Sequence, residues 1–287
     1  MRKILRAVAG FPAWLVAELW VARGRTHLAR GEIDKAEACC RKSLSWCEGC
    51  GDAHALISRA LMPGEDYLAV LSRIHACLKP AAYVEIGVRS GKSLARAADG
   101  TAAVGIDPKL LAPPGLRSRA KLYEMTSDDF FGRHDLLEEL HAPRLALAFI
   151  DGLHLFEQVL KDFIHVERYS DEETVILIHD CLPVTRVAAA REPRKRMWAG
   201  DVWKIIPCLR RYRPDLSVRV IPARPSGLGV ITGADPESTV LEQQFDRIVA
   251  EHHDLDLGYD CLDRVTVKNM PGILPNDPRQ IEDALSK

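Results

Sequence analysis

Short apolar runs, most of which close on an acidic or histidine side chain, recur through the middle of the chain. They span residues 83–88, 101–107, 121–125, 145–151 and 174–180, and the stretches between them are polar or amphipathic. Nearly continuous apolar runs of this length are typical of parallel strands that are buried on both faces. Their alternation with helical stretches indicates an α/β fold with five parallel strands.

Two further apolar runs follow, SVRVIPA at 217–223 and GLGVITG at 227–233. Only Arg224, Pro225 and Ser226 separate them. A separation this short predicts a β-hairpin at the edge of the sheet. The rest of the chain predicts one helix and then an irregular tail rich in proline, asparagine and aspartate.

The first part of the chain shows helical patterns and no convincing strand. Its last helix carries an apolar face of residues three or four positions apart, namely Leu68, Leu71, Ile74 and Leu78. Pro80 ends this helix. We therefore predict a helical N-terminal extension at 1–79, which is a candidate cap or dimerisation surface, and a catalytic domain at 80–287.

An apolar stretch near the N-terminus, AVAGFPAWLVAELWVA, follows the basic segment MRKILR. Glu18 interrupts it, no small-residue cleavage site is evident, and it is shorter than the ~20 apolar residues of a spanning helix. We expect a packed helix here, in preference to a membrane span or a helix lying on a membrane surface.

Composition narrows the class of protein. The chain has 287 residues, 47% of them hydrophobic, and a net charge of −1, which does not favour a nucleic-acid partner. Its eight cysteines form no disulfide-like framework, so a reducing cytoplasm is the expected location. Cys39, Cys40, Cys47 and Cys50 lie close together, but a second metal-binding pair is lacking, so we interpret them as small buried helix residues rather than zinc ligands.

The most informative loop is YVEIGVRSGKS at 83–93, which reaches from the first strand into a predicted helix. A phosphate-binding P-loop needs a glycine where Ile86 stands, and Glu85 would oppose phosphate charge. A dinucleotide fingerprint fails because Arg89 and Lys92 occupy glycine positions. The remaining pattern, ExGxxxGxS, favours a ligand that carries a cation.

This loop resembles the first motif of class I S-adenosylmethionine (SAM) dependent methyltransferases. The resemblance implies that Glu85 binds the ammonium group of the methionine moiety. It also implies that Gly87 and Gly91 let the backbone approach the cofactor. Asp107, about 20 residues on, has the spacing of a ribose-binding acid. The segment SDDFF supplies Ser127 and Asp128, either as adenine contacts or as the N-cap of a helix. The predicted cofactor residues are Glu85, Gly87, Ser90, Gly91, Ser93, Asp107, Ser127, Asp128 and Asp151.

The most specific stretch is FIDGLHLFEQVLKDF at 149–163, followed by a strand that ends in His179 and Asp180. It resembles a group of bacterial small-molecule O-methyltransferases that includes macrolide-sugar and antibiotic-tailoring enzymes. That resemblance implies that His154 is the general base and that acids at the positions of Asp151, His179 and Asp180 bind magnesium. Because His179 is not an acid, we expect weaker magnesium binding or another divalent cation.

A second candidate surface is REPRKRMWAGDVWK at 191–204. Trp198 and Trp203 are candidates to stack on a sugar or aromatic ring of the substrate. The basic residues Arg191, Arg194, Lys195 and Arg196 would attract an acidic substrate, or else form a solvated loop.

The sequence thus predicts a Rossmann-like, seven-stranded methyltransferase sheet with a terminal hairpin and an N-terminal helical extension. The expected activity is SAM-dependent methyl transfer to a hydroxyl of a small molecule, with His154 and Asp151 as catalytic residues and with magnesium or another divalent cation as an optional aid. Two alternatives stay open at this point. One is a nucleoside-triphosphate enzyme that uses GVRSGKS, and the other is a non-catalytic scaffold with this fold.

Overall fold

A computed structural model describes residues 12–111, 119–193 and 197–285. Its centre is a seven-stranded sheet in the order β3-β2-β1-β4-β5-β7-β6. The strands are β1 (Ala82–Ile86), β2 (Ala102–Ile106), β3 (Arg119–Tyr123), β4 (Leu147–Ile150), β5 (Val175–His179), β6 (Ser217–Ile221) and β7 (Leu228–Thr232). β1 to β5 are parallel, whereas β7 runs antiparallel to both β5 and β6. The predicted sheet and its terminal hairpin are confirmed.

The strand register explains why polar side chains gather at one edge. Ile86 of β1 lies between Ile106 of β2 and Ile150 of β4, so these three strands end at the same level. Every residue of β1, β4 and β5 is buried, as expected of central strands covered on both faces. The first residue after each strand therefore opens on a common rim.

Helices cover the sheet and precede it. From residue 12 onward, four lie before β1: α1 (Ala13–Ala29), α2 (Ile33–Leu44), α3 (Gly51–Leu61) and α4 (Tyr67–Leu78). Three lie between β3 and β5: α5 (Ser127–Arg133), α6 (Leu136–Leu140) and α7 (Phe156–Glu167). The others are α8 (Ile205–Tyr212), α9 (Val240–Gln243), α10 (Phe245–His253), α11 (Arg264–Asn269) and α12 (Pro278–Leu285).

The N-terminal helices share buried surface with the sheet. Val21 of α1 and Cys40 of α2 belong to the same buried cluster as Ile86 and Ile176. On the other face, Leu71 of α4 is fully buried in a cluster that includes other strand residues. The predicted apolar face of α4 is confirmed for Leu71 and Ile74, which are buried, and for Leu78, which packs against this cluster, but not for Leu68, which is half-buried and outside it. The predicted domain boundary near residue 79 stays a prediction.

Hydrogen bonds also connect the N-terminal helices to distant segments. Arg41 donates to the carbonyl oxygens of Cys261 and Leu262 at 3.2 and 2.9 Å. Ser58 donates to the carbonyl of Pro225 at 2.8 Å. These contacts hold the extension against the turn between β6 and β7 and against the C-terminal segment.

The predicted helix after Gly91 is wrong. The chain makes only a three-residue 3-10 turn at Leu94–Arg96 and then a turn at Gly100 before β2 begins. Leu94 and Ala97 are buried, so this short segment has to press onto the sheet and return to it within a few residues. Continuing an α-helix would carry the chain away from β2.

Two other expectations concern the N-terminal part. All eight cysteines are free thiols, and among the described residues no group with the geometry of a metal site includes a cysteine. Cys39 and Cys40 are buried in α2, as interpreted, whereas Cys50 is the buried N-cap of α3 and Cys47 lies half-buried in the loop between the two helices. Across the described ranges, no helix combines the length and the apolar character needed to cross a membrane.

Candidate active site

A cleft of about 670 Å³ opens at the carboxyl ends of β1, β2, β4 and β5. Most of the predicted site residues line it, together with side chains from α4, from the segment after β5 and from the β6–β7 turn. The residues that line the cleft include Tyr67, Ser90, Lys92, Ser93, Asp107, Ser127, Asp128, Asp151, His154, Gln158, Asp162, His179, Asp180, Met197, Trp198 and Pro225. We distinguish a cofactor end, around β1 and β2, from a reaction end, around β4 and β5.

Glu85 lies beneath the cleft rather than in its wall. Its carboxyl is fully buried and accepts hydrogen bonds from the hydroxyls of Ser93 at 2.6 Å and Tyr83 at 2.7 Å. Burial raises the pKa of Glu85 to about 8, although both hydroxyl donors act in the opposite direction. Glu85 is therefore mostly protonated at neutral pH and supports the loop from below.

Gly87 permits a close approach between β1 and β4. Its φ is +94°, and a Cβ at this position would lie 2.0 Å from the carbonyl oxygen of Asp151. A side chain is excluded, so the backbone of the loop touches the backbone at the tip of β4. Gly91, with a φ of +70°, closes the turn by donating its N–H to the carbonyl of Val88 at 2.8 Å.

Asp107 lies at the tip of β2, as predicted. One carboxylate oxygen accepts the N–H of Arg89 at 2.8 Å, and the other accepts the N–H of Lys109 at 2.7 Å. Each oxygen keeps a further lone pair for a ligand in the cleft. The two backbone N–H groups fix the carboxylate at the cofactor end.

Ser127 and Asp128 belong to a polar cluster that the sequence did not show. Thr126, not Ser127, caps α5 by accepting the N–H of Asp129 at 3.1 Å. Ser127 instead donates to Asp162 at 2.6 Å, and Gln158 donates to both Asp128 and Asp162 at 3.0 Å. Burial raises the pKa of Asp162 to about 6, while these hydrogen bonds oppose the rise.

At the reaction end, Asp151 is flanked by two imidazoles. Its Oδ1 lies 3.0 Å from Nδ1 of His179 and 3.6 Å from Nε2 of His154. Burial alone would raise the pKa of Asp151, but the charge of His179 and the hydrogen bond of His154 hold it far below its usual range. Asp151 is a carboxylate at neutral pH.

His179 is a buried partner of the two acids. Burial alone would lower its pKa, but the charges of Asp151 and Asp180 raise it to about 9. Its ring packs against that of Tyr67, with centroids 4.1 Å apart and an angle of 32° between the ring planes. Nε2 of His179 is buried without a hydrogen-bond partner among the described residues. The side chain therefore contributes a positive charge at the base of the reaction end.

His154 lies three residues past β4, where the fold brings it against Asp180 and Trp198. Its Nδ1 is 3.1 Å from the carbonyl oxygen of Trp198 and 3.2 Å from Oδ2 of Asp180. Burial would lower the pKa of His154, but Asp151 and Asp180 raise it. When the neutral ring keeps its proton on Nδ1 for these acceptors, its lone pair lies on Nε2, which faces Asp151. The protonated ring donates from the same Nε2 to Asp151.

A group of ligand atoms suited to a metal ion occurs at the same place. Asp151, His154 and Asp180 each offer one atom, and these atoms lie within 4.8 Å of one another. His154, rather than the predicted His179, completes this group. Two carboxylates and one imidazole suit transition metals such as manganese at least as well as magnesium.

Tyr67 is the site residue that sequence reasoning missed. It begins α4 and reaches the cleft because the N-cap Asp66 and the backbone of Arg224 hold the start of this helix at the β6–β7 turn. The Tyr67 N–H donates to the carbonyl of Arg224 at 2.9 Å. No local pattern indicates this placement, because an aromatic residue at the start of a helix is ordinary.

The structure separates the two tryptophans of the loop at 191–204 that were candidates for stacking on a substrate. Trp198 lines the cleft, whereas Trp203 lies in the 3-10 turn Val202–Lys204 and does not. Arg191 is engaged by Glu157 and Asp201, so it is not free to attract a substrate. The other three basic residues, 194–196, lie outside the described residues.

The central part of the chain is similar to a known family. Residues 84–181 match a family model described as a methyltransferase domain. The match covers less than half of the chain and runs from within β1 through β5, including the segment that carries His154. It confirms, over this segment, the predicted resemblance to methyltransferases. No curated protein matches the chain in a sequence search.

Solved structures with similar folds share little sequence with this chain. Cofactor-bound Rv0187 from MTB is 14% identical, with a TM-score of 0.46, and the alignment covers 64% of this chain and 88% of that one. The O-methyltransferase from Bacillus cereus in complex with SAH is 14% identical, with a TM-score of 0.41, covering 62% and 87%. The SAH-bound Podospora anserina methyltransferase PaMTH1 is 16% identical, with a TM-score of 0.46, covering 63% and 86%.

Proposed function

We propose that this protein is a SAM-dependent methyltransferase that acts on a hydroxyl group of a small molecule. The observation that carries the proposal is one cleft with two differently equipped ends. Asp107 stands at the tip of β2, and the pair Asp151 and His154 follows β4, in a segment that matches a methyltransferase domain. A cofactor bound from β2 toward β4 would present its methyl group to His154.

The residues of the cofactor end fit such a ligand. Asp107 would accept hydrogen bonds from the ribose hydroxyls through its free lone pairs. Ser127 and Asp128 would meet the adenine, while Ser90 and Ser93 lie along the path of the methionine part. Because Glu85 is buried and mostly protonated, we now assign it to holding Ser93 rather than to direct contact with the ammonium. The carboxylate of Asp151 is the better partner for a positive charge.

His154 would take the proton of the acceptor hydroxyl. An aliphatic or phenolic hydroxyl attacks a sulfonium methyl poorly unless a base removes its proton during the reaction. Nδ1 of His154 is oriented by Trp198 and Asp180, as the orienting partner of a general base should be. The electron pair of the hydroxyl oxygen forms the new bond to the methyl carbon, and the sulfur keeps the electrons of the bond that breaks.

A divalent cation is a further element of this proposal. Asp151 and Asp180 would hold it, and when bound it would lower the pKa of an acceptor hydroxyl. His154 cannot use the same nitrogen both for the cation and for a proton. Metal dependence therefore decides whether His154 acts as a base or as a ligand.

The nucleoside-triphosphate alternative is not favoured. A P-loop presents phosphates to the N-terminus of a helix, but the loop here leads into only a three-residue 3-10 turn.

The eight free cysteines support a reducing, cytoplasmic location. The predicted small-molecule acceptor and the predicted dimer stay predictions.

The test is calorimetric titration of the full chain with S-adenosylhomocysteine, and with ATP as a control. We expect the product to bind and ATP not to bind. The titration is repeated with MgCl₂, with MnCl₂ and with EDTA, and in the variants Asp107→Asn and Asp180→Asn. Asp107→Asn should weaken product binding, whereas Asp180→Asn should alter only the response to metal. Absence of product binding in the wild type would refute the proposal.

A screen of hydroxylated acceptors with methyl-labelled SAM then separates an enzyme from a scaffold. Transfer to any acceptor that is lost in His154→Gln supports the base. If His154→Gln transfers the methyl group as fast as the wild type, the assigned role of His154 is wrong.

A further inference from the structure

Residues 197–201, which belong to the long loop after β5, fold over the imidazole of His154. We call these five residues the roof segment. The Trp198 ring stacks on the His154 ring with centroids 5.1 Å apart and an angle of 28° between the planes. Gly200 has a φ of +61°, and a Cβ there would lie 1.8 Å from the carbonyl oxygen of His154. The roof segment therefore rests directly on the backbone and the ring of this residue.

Asp201 ends the roof segment and ties it to the start of α7. Its side chain is almost completely buried, and Oδ1 accepts the N–H of Phe156 at 2.8 Å. Phe156 is the first residue of α7, and the residue before it, Leu155, provides no side-chain cap. A helix start has unpaired N–H groups and a partial positive charge, so Asp201 caps α7 from a distant part of the sequence.

Two cations hold the other oxygen of Asp201. Arg191 contacts Oδ2 at 2.6 Å, and Lys204, itself buried, lies 3.1 Å from it. Arg191 also binds both carboxylate oxygens of Glu157, the second residue of α7, at 2.7 and 3.0 Å. The roof segment is thus bound to the first two residues of α7, Phe156 through Asp201 and Glu157 through Arg191. These residues follow His154 by two and three positions.

We propose that Asp201 is a positioning residue that fixes the His154 imidazole beneath Trp198. No contact in the structure joins Asp201 to His154 itself. The effect passes through the backbone on both sides of the histidine, because Asp201 sets the start of α7 below it and the roof segment above it. Its consequence for methyl transfer rests on the proposed function, but the ring orientation does not.

The orientation is measured by NMR of the full chain with isotope-labelled histidine. Stacking on the indole of Trp198 changes the chemical shifts of the carbon-bound ring protons of His154. The signals of these protons are identified by their loss in His154→Gln. Trp198→Leu defines the position of these signals without the stacking. We expect Asp201→Asn to move them toward that position, because an amide NH₂ would face the two cations in place of a carboxylate oxygen.

The matched control is Glu167→Gln, which alters another buried carboxylate paired with an arginine, Arg213, at the far end of α7. It should lower the melting temperature and leave the His154 signals in place. If Asp201→Asn does not fold, Arg191→Met removes the bridge between Asp201 and Glu157 and serves in its place. His154 signals that stay at the wild-type position in the folded variant would overturn the proposal, and so would signals that Trp198→Leu does not move.

A kinetic arm connects positioning to chemistry once an acceptor is known. A displacement of a base by about 1 Å can cost roughly 10²-fold in rate, so Asp201→Asn should lower kcat by 10 to 100-fold, to order of magnitude, with KM for SAM unchanged. In the His154→Gln background the same substitution should lower kcat no further. Additive losses in the double variant would show that Asp201 acts by another route. Product binding by calorimetry stays normal in either case, so failure of the proposed function would be seen separately.

Discussion

The cofactor end and the reaction end of the cleft are built in different ways. At the tips of β1 and β2, polar groups of the cofactor end are held by partners nearby in sequence: Asp107 by Lys109 and Arg89, 2 and 18 positions away, and Glu85 by Ser93, 8 positions away. Ser127 and Asp128, on the α5 side of this end, are held from α7, across 35 and 30 positions. At the reaction end, Asp151 meets His179 across 28 positions, and His154 meets Trp198 across 44. Local segments can therefore specify the tips of β1 and β2, whereas only the completed fold specifies the α5 side of the cofactor end and the reaction end.

The two ends also differ in charge. The hydrogen bonds of Asp107 come from neutral backbone groups, and Glu85 is mostly protonated at neutral pH. The reaction end brings two imidazoles to one oxygen of Asp151, and both imidazoles also lie near a carboxylate oxygen of Asp180. We infer that the cofactor end is organised for binding and the reaction end for proton transfer. Three substitutions test this division.

The largest effect is expected at the reaction end. His154→Gln removes the proposed base but keeps a polar side chain of similar length. General-base catalysis typically contributes 10²- to 10⁴-fold, so kcat should fall by about that factor. The affinity for S-adenosylhomocysteine, measured by calorimetry, should stay within about twofold of the wild type, because His154 lies beyond the cofactor end. A parallel loss of affinity would contradict the division of the cleft.

An intermediate effect is expected at the cofactor end. Asp107→Asn would leave an NH₂ group facing one of the two backbone donors and would remove the acceptor for a ribose hydroxyl. Hydrogen bonds to a charged group contribute about 1.5–3 kcal/mol, so product affinity should fall about 10- to 100-fold. The rate at saturating cofactor should change little. A fall in that rate comparable to the one in His154→Gln would show that the two ends are not separable.

The smallest effect on activity is expected for Glu85→Gln, whose consequence appears in stability. The pKa of Glu85 is about 8 in the folded chain against a usual value of 4.5, so the unfolded chain loses this proton first. Stability due to Glu85 is thus complete below about pH 4.5 and is lost as pH rises toward 8. Glutamine stays neutral throughout.

The measurement for Glu85→Gln is the melting temperature from pH 5 to pH 8.5. Relative to the wild type, the variant should gain stability steadily as pH rises. Ser93→Ala is the control, because it removes one hydroxyl donor and keeps the carboxyl group. A difference between Glu85→Gln and the wild type that does not vary with pH would mean that Glu85 is ionised in the folded chain.

Sequence patterns predicted the sheet well because its strands are continuous apolar runs. The placement of Asp107, Asp151 and Asp180 at the cleft was predicted from the rule that the carboxyl ends of parallel strands lie on one rim of the sheet. The helix after Gly91 was predicted wrongly, since local propensity there yields to the need to return to β2. Trp203 and Trp198 could not be told apart by sequence, because both lie in one loop and only the fold decides which faces the cleft.

Other site residues carried no signal of their own. Tyr67 reaches His179 only because α4 is anchored at the β6–β7 turn, a contact between segments far apart in the chain. Asp162 and Gln158 looked like the polar face of an amphipathic helix, and their hydrogen bonds to Ser127 and Asp128 depend on how α7 lies against α5. The sequence places Asp201 in the segment GDVWK at 200–204, but it does not indicate that Asp201 accepts a hydrogen bond from Phe156 at the start of α7.

The long-range hydrogen bonds of the N-terminal helices have a consequence for biosynthesis. Arg41 leaves the ribosome 220 positions before Cys261, whose carbonyl it binds, and Ser58 leaves it 167 positions before Pro225. At typical synthesis rates of about 5–20 residues per second, the first of these intervals lasts roughly 10 to 45 s. During that time the strands that cover the apolar faces of α1 to α3 are synthesised one after another, from β1 at residue 82 to β5 at residue 179. We therefore expect the N-terminal helices to be covered in stages and to make their contacts with the C-terminal segment last.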